Sequence, residues 1–252
     1  MANITFPDGN KKDFDKNSTG LDIARSISDG FARNCIAMEL NSEMVDLNTK
    51  ITEDANIKFI TTKEPEAIEI LRHSASHVMA QAILRLYPHA RLTIGPAVED
   101  GFYYDVDMQP VSKDNFPKIE AEMNKIIKAK LPITRSEVPK KEALEFYKDE
   151  PYKLEMISEL DDHTISFYEQ GEFTDLCRGP HLPNTGFVKA IKLMKVSGAY
   201  WRADQTKAQL QRIYGTAFFN KKELKEYTHF LEEAKRRNHR KIGEAMELFS
   251  FH

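Results

Sequence analysis

The feature that most constrains the fold of this chain is residues 66–86, whose apolar residues repeat at helical spacing. With successive residues placed at steps of about 100°, one apolar stripe is formed by Ile68, Leu71, Ala75, Val78, Ala82 and Leu86. His73 and His77 point away from that stripe, and other small and aliphatic residues lie on their side. We therefore expect a helix that packs on a sheet with one face and lines a pocket with the other.

The residues before this helix have the pattern of a small β-rich domain. Residues 21–27 have helical spacing. Strand-like patterns surround them in residues 4–6, near Phe14, and in residues 35–40, 44–47 and 57–60. Strand pairs around one helix, within about sixty residues, indicate a β-grasp-like domain, which we place in residues 1–62.

The residues after the helix mix further helices and strands. We expect strands in residues 101–106 and 189–201, a strand that runs into a loop in 173–181, and helices in 115–130 and 140–147. A long charged helix is expected from about residue 221 to 243. The predicted fold class is α+β, with a larger α+β domain in residues 63–224 and a basic linker helix in 225–252.

Bulk composition excludes several classes of protein. The chain has 252 residues, enough for two modest domains, and only two cysteines, which is typical of a reducing compartment. We find neither a signal-peptide pattern nor an apolar run long enough to cross a bilayer. We therefore expect a cytoplasmic location and no membrane partner. The formal net charge of −3 does not favour nucleic acid, although a local basic patch can outweigh it.

Two pairs of side chains, each four residues apart, carry the strongest chemical signal. His73 and His77 stand in HSASH, and Cys177 and His181 stand in DLCRGPH. On a helix, a spacing of four places two side chains on one face. These groups can hold a water, a proton or a metal ion, so together they predict a hydrolase. The same four residue types are also suitable zinc ligands. Each pair taken alone, however, is commonly found at solvated or purely structural positions.

Five sequence blocks, in this order, resemble the N-terminal half of a bacterial threonyl-tRNA synthetase: HSASHVMAQAI, IGPAVEDGFYYDV, DLCRGPH, KVSGAYWR and LQRIYGTAF. The resemblance implies a TGS domain in residues 1–62, an editing domain in 63–224 and a linker helix in 225–252 that leads toward an aminoacylation core absent from this chain. It also implies that the full-length enzyme uses ATP, Mg and Zn and is a homodimer. We expect this fragment to be monomeric.

The implied reaction is hydrolysis of the ester in seryl-tRNA(Thr). Serine lacks one methyl group of threonine, and a missing methylene gives only about 10–200-fold discrimination in a pocket, so a second, hydrolytic site is needed. The resemblance implies catalytic roles for His73, Lys153, Cys177 and His181. The partner is the acceptor end of tRNA(Thr) carrying serine.

The remaining predicted contacts are with substrate and tRNA. Asp175 suits the ammonium group of the seryl moiety, and we expect His77 and Tyr104 to complete the substrate pocket. The charged helix is expected to contact phosphates through Lys235, Arg236, Arg237 and Arg240.

Three mechanisms remain open for this site. We favour metal-free attack by water, and so expect no cofactor and no metal for editing. The alternatives are a zinc site at His73, His77, Cys177 and His181, and covalent catalysis by Cys177 with a histidine base. Two other functions also compete: a non-catalytic tRNA-binding module, and a metal-dependent hydrolase of an unrelated substrate.

Overall fold

The structure of the chain, a computed structural model, describes residues 1–237. Its first region is a five-stranded sheet with the strand order β2-β1-β7-β4-β5. These strands are β1 Ala2–Thr5, β2 Lys11–Phe14, β4 Cys35–Leu40, β5 Glu43–Asp46 and β7 Ala55–Thr61, and a separate small pair is formed by β3 Ser18–Thr19 and β6 Lys50–Ile51. Two helices, α1 Gly20–Ile27 and α2 Asp29–Ala32, follow β3.

Local sequence explains how α1 begins and packs. The Thr19 side chain accepts a hydrogen bond from the backbone of Asp22, and the Asp22 side chain accepts one from the Thr19 backbone, which is a capping box. Ile23 is fully buried against the sheet. The predicted arrangement of strand pairs around a helix is confirmed.

The second region is built around one long helix, α3 Ala67–Leu86. It packs on a sheet of order β14-β15-β10-β8, made of β8 Arg91–Leu92, β10 Gly101–Asp107, β14 Ala190–Tyr200 and β15 Gln209–Phe218, with the short β9 Ala97–Val98 paired to β10. Leu71 and Val78 of the predicted stripe are fully buried in the largest apolar cluster. The expected packing of this helix on a sheet is therefore observed, and α4 Phe116–Ala129 packs beside it.

A three-stranded sheet covers the other side of α3. Its order is β11-β12-β13, with β11 Ile133–Pro139, β12 Thr164–Gln170 and β13 Phe173–Leu176, and the helices α5 Lys140–Phe146 and α6 Pro151–Glu159 lie between β11 and β12 in the chain. The Gln81 side chain donates to the Gln170 carbonyl at 3.1 Å and accepts from the Gln170 amide at 2.7 Å. This reciprocal pair fixes β12 against α3.

The two regions share a core. Ile36, Ala37 and Ile60 of the first sheet lie in the same apolar cluster as Ala67 and Leu71 of α3. The chain ends, as far as the structure describes it, in the charged helix α7 Lys221–Arg236. Among residues 1–237, no helix combines the length and the apolar character needed to cross a membrane.

Candidate active site

The helix α3 presents His73 and His77 one turn apart on the side that faces the small sheet. Their ring centroids are 5.3 Å apart and the rings are nearly perpendicular. His77 is buried and also packs edge-on against Phe173 of β13. His73 is only partly buried, so its ring lies at the mouth of the site.

The loop after β13 brings Cys177 and His181 to the same place. The Cys177 sulfur lies 3.2 Å from Nε2 of His73 and 3.2 Å from Nε2 of His181. The His181 ring lies 4.3 Å from that of His73 and 4.2 Å from that of His77, between centroids. The two sequence motifs, about a hundred residues apart, therefore form one cluster.

Ser74 orients His181, a role that the sequence analysis missed. The Leu182 backbone N–H donates to the Ser74 hydroxyl oxygen at 2.9 Å, and that oxygen lies 3.1 Å from Nδ1 of His181. Because the hydroxyl oxygen already accepts from Leu182, its own proton is free to point at Nδ1. If Ser74 donates, the His181 proton lies on Nε2, facing Cys177; if Ser74 accepts, that proton lies on Nδ1. The position of Ser74 next to His73 in HSASH was the available signal.

A buried ion pair, Lys153 with Asp175, lies beside the imidazoles. Lys153, in the first turn of α6, is 3% exposed and Asp175 of β13 is 2% exposed. The Lys153 ammonium pairs with Oδ1 of Asp175 and donates to the Thr93 carbonyl at 2.9 Å. The hydroxyl of Tyr104, which is also buried, donates to Oδ2 of Asp175 at 2.6 Å. Each charge therefore has partners, as a buried ion pair requires.

Asp175 differs in one respect from its predicted role. Its carboxylate already accepts from Lys153, from Tyr104 and from the Leu176 backbone N–H at 2.8 Å, and His77 Nε2 lies 3.7 Å away. A substrate ammonium would have to displace one of these partners. Burial acts to raise the pKa of Asp175, but the charge of Lys153, the proximity of His77 and the hydrogen bonds from Lys153 and Tyr104 together outweigh it and hold this pKa below its usual value.

Burial also sets the protonation of the imidazoles and the thiol. It lowers the pKa of His73, lowers that of His77 to about 3, and holds that of His181 well below its usual value. The three rings are therefore neutral at neutral pH. Burial raises the pKa of the Cys177 thiol to about 12, so it is a thiol rather than a thiolate when no metal is bound.

The donor set of the cluster fits a metal ion. The ligand atoms of His73, His77, Cys177 and His181 all lie within 4.8 Å of one another. Imidazole nitrogens and a cysteine sulfur are the ligands that zinc prefers. A Ser74 hydroxyl that accepts from Nδ1–H of His181 would leave Nε2 free to bind the metal. A zinc held by three of these four groups would leave one position for an activated water, and a zinc held by Cys177 would deprotonate its thiol.

A surface groove opens beside Cys177. Its wall includes the apolar side chains of Met156 and Leu160 and the cationic side chains of Arg178 and Arg202. Glu159 and Asp162 also line the groove, and Arg202 pairs with Glu155 and Glu159, so the groove combines an apolar surface with charges of both signs next to the cluster.

The predicted tRNA contacts lie at the far end of α7. Lys235, Arg236 and Arg237 are exposed there, and both arginines approach Glu233, at 3.1 and 3.6 Å. That carboxylate partly neutralises them. The fourth predicted contact, Arg240, lies outside the residues that the structure describes.

Two known domain families match this chain. The TGS domain family matches residues 2–61, and the family described as "Threonyl and Alanyl tRNA synthetase second additional domain" matches residues 165–214. The second match contains the loop with Cys177 and His181. The chain therefore carries a match to the TGS domain family, followed by a match to a domain family of threonyl and alanyl tRNA synthetases.

Whole-chain relatives are more specific. The chain is 64% identical over 252 residues to "Threonine--tRNA ligase" of Desulforapulum autotrophicum, covering all of this chain and 40% of that protein. It is 64% identical to the protein of the same name from Desulfatibacillum aliphaticivorans, with the same coverage. It is 53% identical over 254 residues to that of Geobacillus kaustophilus, covering 99% of this chain and 39% of the relative.

The predicted resemblance is thus confirmed: along its whole length the chain matches the N-terminal regions of bacterial threonine--tRNA ligases. It spans about two fifths of the length of these relatives.

Proposed function

We propose that this chain is the editing part of a threonine--tRNA ligase and hydrolyses seryl-tRNA(Thr). One observation carries the proposal: three neutral imidazoles, a thiol and a buried ammonium lie together in a domain related to synthetase editing domains. The proposed division is a TGS domain in residues 1–62, an editing domain in 63–224 and a linker helix in 225–252.

The chemistry assigned to the site is direct attack by water on the seryl ester. A water molecule loses a proton to a base as its oxygen bonds to the carbonyl carbon. The ribose oxygen then leaves with a proton, giving free serine and tRNA. His73 suits the role of base, because its ring is neutral and is more exposed than those of His77 and His181.

Lys153 and the groove suit substrate binding and charge stabilisation. The Lys153 ammonium stays paired with Asp175, and its remaining N–H can donate a hydrogen bond toward the reacting carbonyl, where negative charge develops. The groove beside Cys177 suits the terminal nucleoside, with apolar surface for the base and Arg178 for phosphate. Asp175, His77 and Tyr104 form the pocket wall that contacts the seryl group. The basic end of α7, Lys235–Arg237 with Arg240 beyond the described residues, contacts the tRNA backbone.

Covalent catalysis by Cys177 is disfavoured by its environment. A thiol with a pKa of about 12 is almost entirely protonated at neutral pH. Its short contacts with His73 and His181 instead suit a hydrogen-bonding role in the alignment of the two rings.

Zinc-dependent hydrolysis is the second candidate, because the four ligand atoms lie within 4.8 Å of one another. Metal analysis of the purified chain separates it from metal-free hydrolysis. One zinc per chain, with activity that is lost on chelation and restored by zinc, would favour this second mechanism.

Measuring both binding and hydrolysis of labelled seryl-tRNA(Thr) tests the proposal. We expect the chain to release serine well above the buffer rate, His73→Ala to lose this activity while still binding tRNA, and His163→Ala, which removes an exposed histidine, to match the wild type. Seryl-tRNA that is bound but hydrolysed only at the buffer rate would show a non-catalytic tRNA-binding module instead.

We further propose that the chain works in the cytoplasm as a monomer when separate from the rest of the enzyme, and that the full-length protein is a homodimer that uses ATP, Mg and Zn for aminoacylation. Gel filtration with light scattering tests the monomer directly.

A further inference from the structure

One carboxylate of the N-terminal sheet reaches into the candidate active site. Asp46 is the last residue of β5, and β5 is an edge strand of that sheet. Its Oδ1 accepts a hydrogen bond from the His181 backbone N–H at 2.8 Å, and its Oδ2 accepts one from the Tyr168 hydroxyl at 2.6 Å. A side chain of the first region therefore binds two segments of the second.

Tyr168 supports the loop that carries the reactive groups. Its ring is 1% exposed and lies 4.4 Å from the His181 ring, between centroids. A Cβ at Gly179 would overlap the Tyr168 hydroxyl, so the loop backbone lies directly on this side chain. The hydroxyl that Asp46 holds is thus in contact with the loop between Cys177 and His181.

His181 is consequently fixed from two sides. Ser74 of α3 holds the ring at Nδ1, and Asp46 holds the backbone N–H. These two contacts determine where Nε2 lies relative to the Cys177 sulfur, 3.2 Å away. Loss of the Asp46 contact would free the backbone of His181 and the hydroxyl of Tyr168 together.

We propose that Asp46 is a positioning residue of the editing site, through which the N-terminal TGS domain holds His181 in its working orientation. This inference rests on the proposed function for its effect on rate. It gives the first domain a part in hydrolysis through contact with the loop, without any contact between Asp46 and the substrate.

The test compares Asp46 variants with a control on the same strand. Asp46→Leu keeps the size of the side chain but removes both acceptors. Asp46→Asn keeps an acceptor for the His181 N–H and can still bond Tyr168 with the donor direction reversed. Glu43→Gln changes an exposed charge on β5 and is the control.

We expect Asp46→Leu to lower kcat for seryl-tRNA by about 10–100-fold, the range for misplaced catalytic groups and their supports. KM should change little, because Asp46 touches no substrate. Asp46→Asn should keep most of the wild-type kcat. The double variant Tyr168→Phe with Asp46→Leu should show a fall in kcat much smaller than the product of the falls in the two single variants.

A second readout does not depend on activity. The ¹⁵N resonances of the His181 ring should shift in Asp46→Leu and stay unchanged in Glu43→Gln. If the wild type does not hydrolyse seryl-tRNA but its His181 resonances shift in Asp46→Leu, the proposed function is refuted and the positioning role is supported. If the wild type is active, an unchanged kcat in Asp46→Leu overturns the positioning role. Unchanged His181 resonances in Asp46→Leu overturn it in either case. If Asp46→Leu does not fold, Tyr168→Phe is the second variant, because it removes only the hydroxyl that Asp46 holds. A twofold or greater fall in kcat at a wild-type KM supports the role, and a wild-type kcat refutes it.

Discussion

Replacing Lys153 by methionine should destabilise the chain by about 3 kcal/mol, because it leaves a buried carboxylate without its counter-ion. The ammonium is 3% exposed and pairs with Asp175, which is 2% exposed. Methionine keeps most of the apolar stem and removes the ammonium group with its charge and its hydrogen bonds. The variant therefore isolates the ion pair from the packing of α6.

The magnitude follows from the partners that remain. Removal of one member of a buried ion pair costs about 3–5 kcal/mol. Asp175 keeps the Tyr104 hydroxyl and the Leu176 N–H, which places the cost near the lower end of that range. The Thr93 carbonyl also loses its hydrogen-bond donor, and this loss adds to the cost of the substitution.

Urea unfolding followed by fluorescence measures this cost. Trp201 is the one tryptophan in the sequence, it is buried, and its ring N–H donates to Glu155 of α6 at 2.8 Å, so it reports on the region of Lys153. The matched control is Lys148→Met, because Lys148 is exposed and its ion pair with Glu145 lies at the surface. That variant should change stability by less than about 0.5 kcal/mol.

The sign of the pH dependence gives an internal check. The wild-type pair lowers the pKa of Asp175, so it contributes stability above the unfolded pKa of aspartate and loses it as pH falls through the folded pKa. In Lys153→Met the buried Asp175 should instead take up a proton more readily, and the difference from wild type should shrink toward acid pH. Equal stabilities of the Lys153 and Lys148 variants at neutral pH would refute this reasoning.

Three further outcomes follow from the site and the charged helix. Burial lowers the pKa of His77 to about 3, so below about pH 6.5 the unfolded chain binds a proton at His77 that the folded chain does not. Between pH 7.5 and 5.5 the wild type should therefore lose about 1.4 kcal/mol more stability than His77→Gln. An equal pH dependence of the two proteins in urea unfolding would contradict this prediction. Serine release should persist after treatment with a zinc chelator if hydrolysis is metal-free, whereas its loss, restored by zinc, would assign His73 and Cys177 to a metal site. Arg236→Ala with Arg237→Ala should weaken tRNA binding and reduce the slope of log K against log salt by about 1–2; an unchanged slope would exclude both from phosphate contact.

Much of the fold follows from residue patterns because the patterned segments bury one clear face. The helix expected in residues 66–86 is observed as Ala67–Leu86, and the strand expected in 189–201 as Ala190–Tyr200. The segments that were missed have weaker patterns. The strand Ile133–Pro139 buries only its first residue, so its sequence carries little apolar alternation. The helix Pro151–Glu159 is short and begins at a proline, which also suits a turn.

The residues that form the cluster could be predicted from the sequence, but the contacts that hold them in place could not. The spacing of His73, His77, Cys177 and His181 drew attention to residues that do form one cluster. The burial of Lys153 runs against the usual exposure of lysine and follows from pairing with Asp175 across the fold. The contact of Asp46 with the His181 backbone joins residues 135 positions apart, so no local pattern could indicate it.

The central claim is that this cluster hydrolyses an ester of serine and spares threonine. Single-turnover rate constants for seryl-tRNA(Thr) and threonyl-tRNA(Thr), measured side by side with the same chain, test it most directly. We expect the seryl ester to be cleaved about 100-fold faster or more, with His73→Ala close to the uncatalysed rate. Equal rate constants for the two esters, or a seryl ester that survives as long as it does in buffer, would contradict the account.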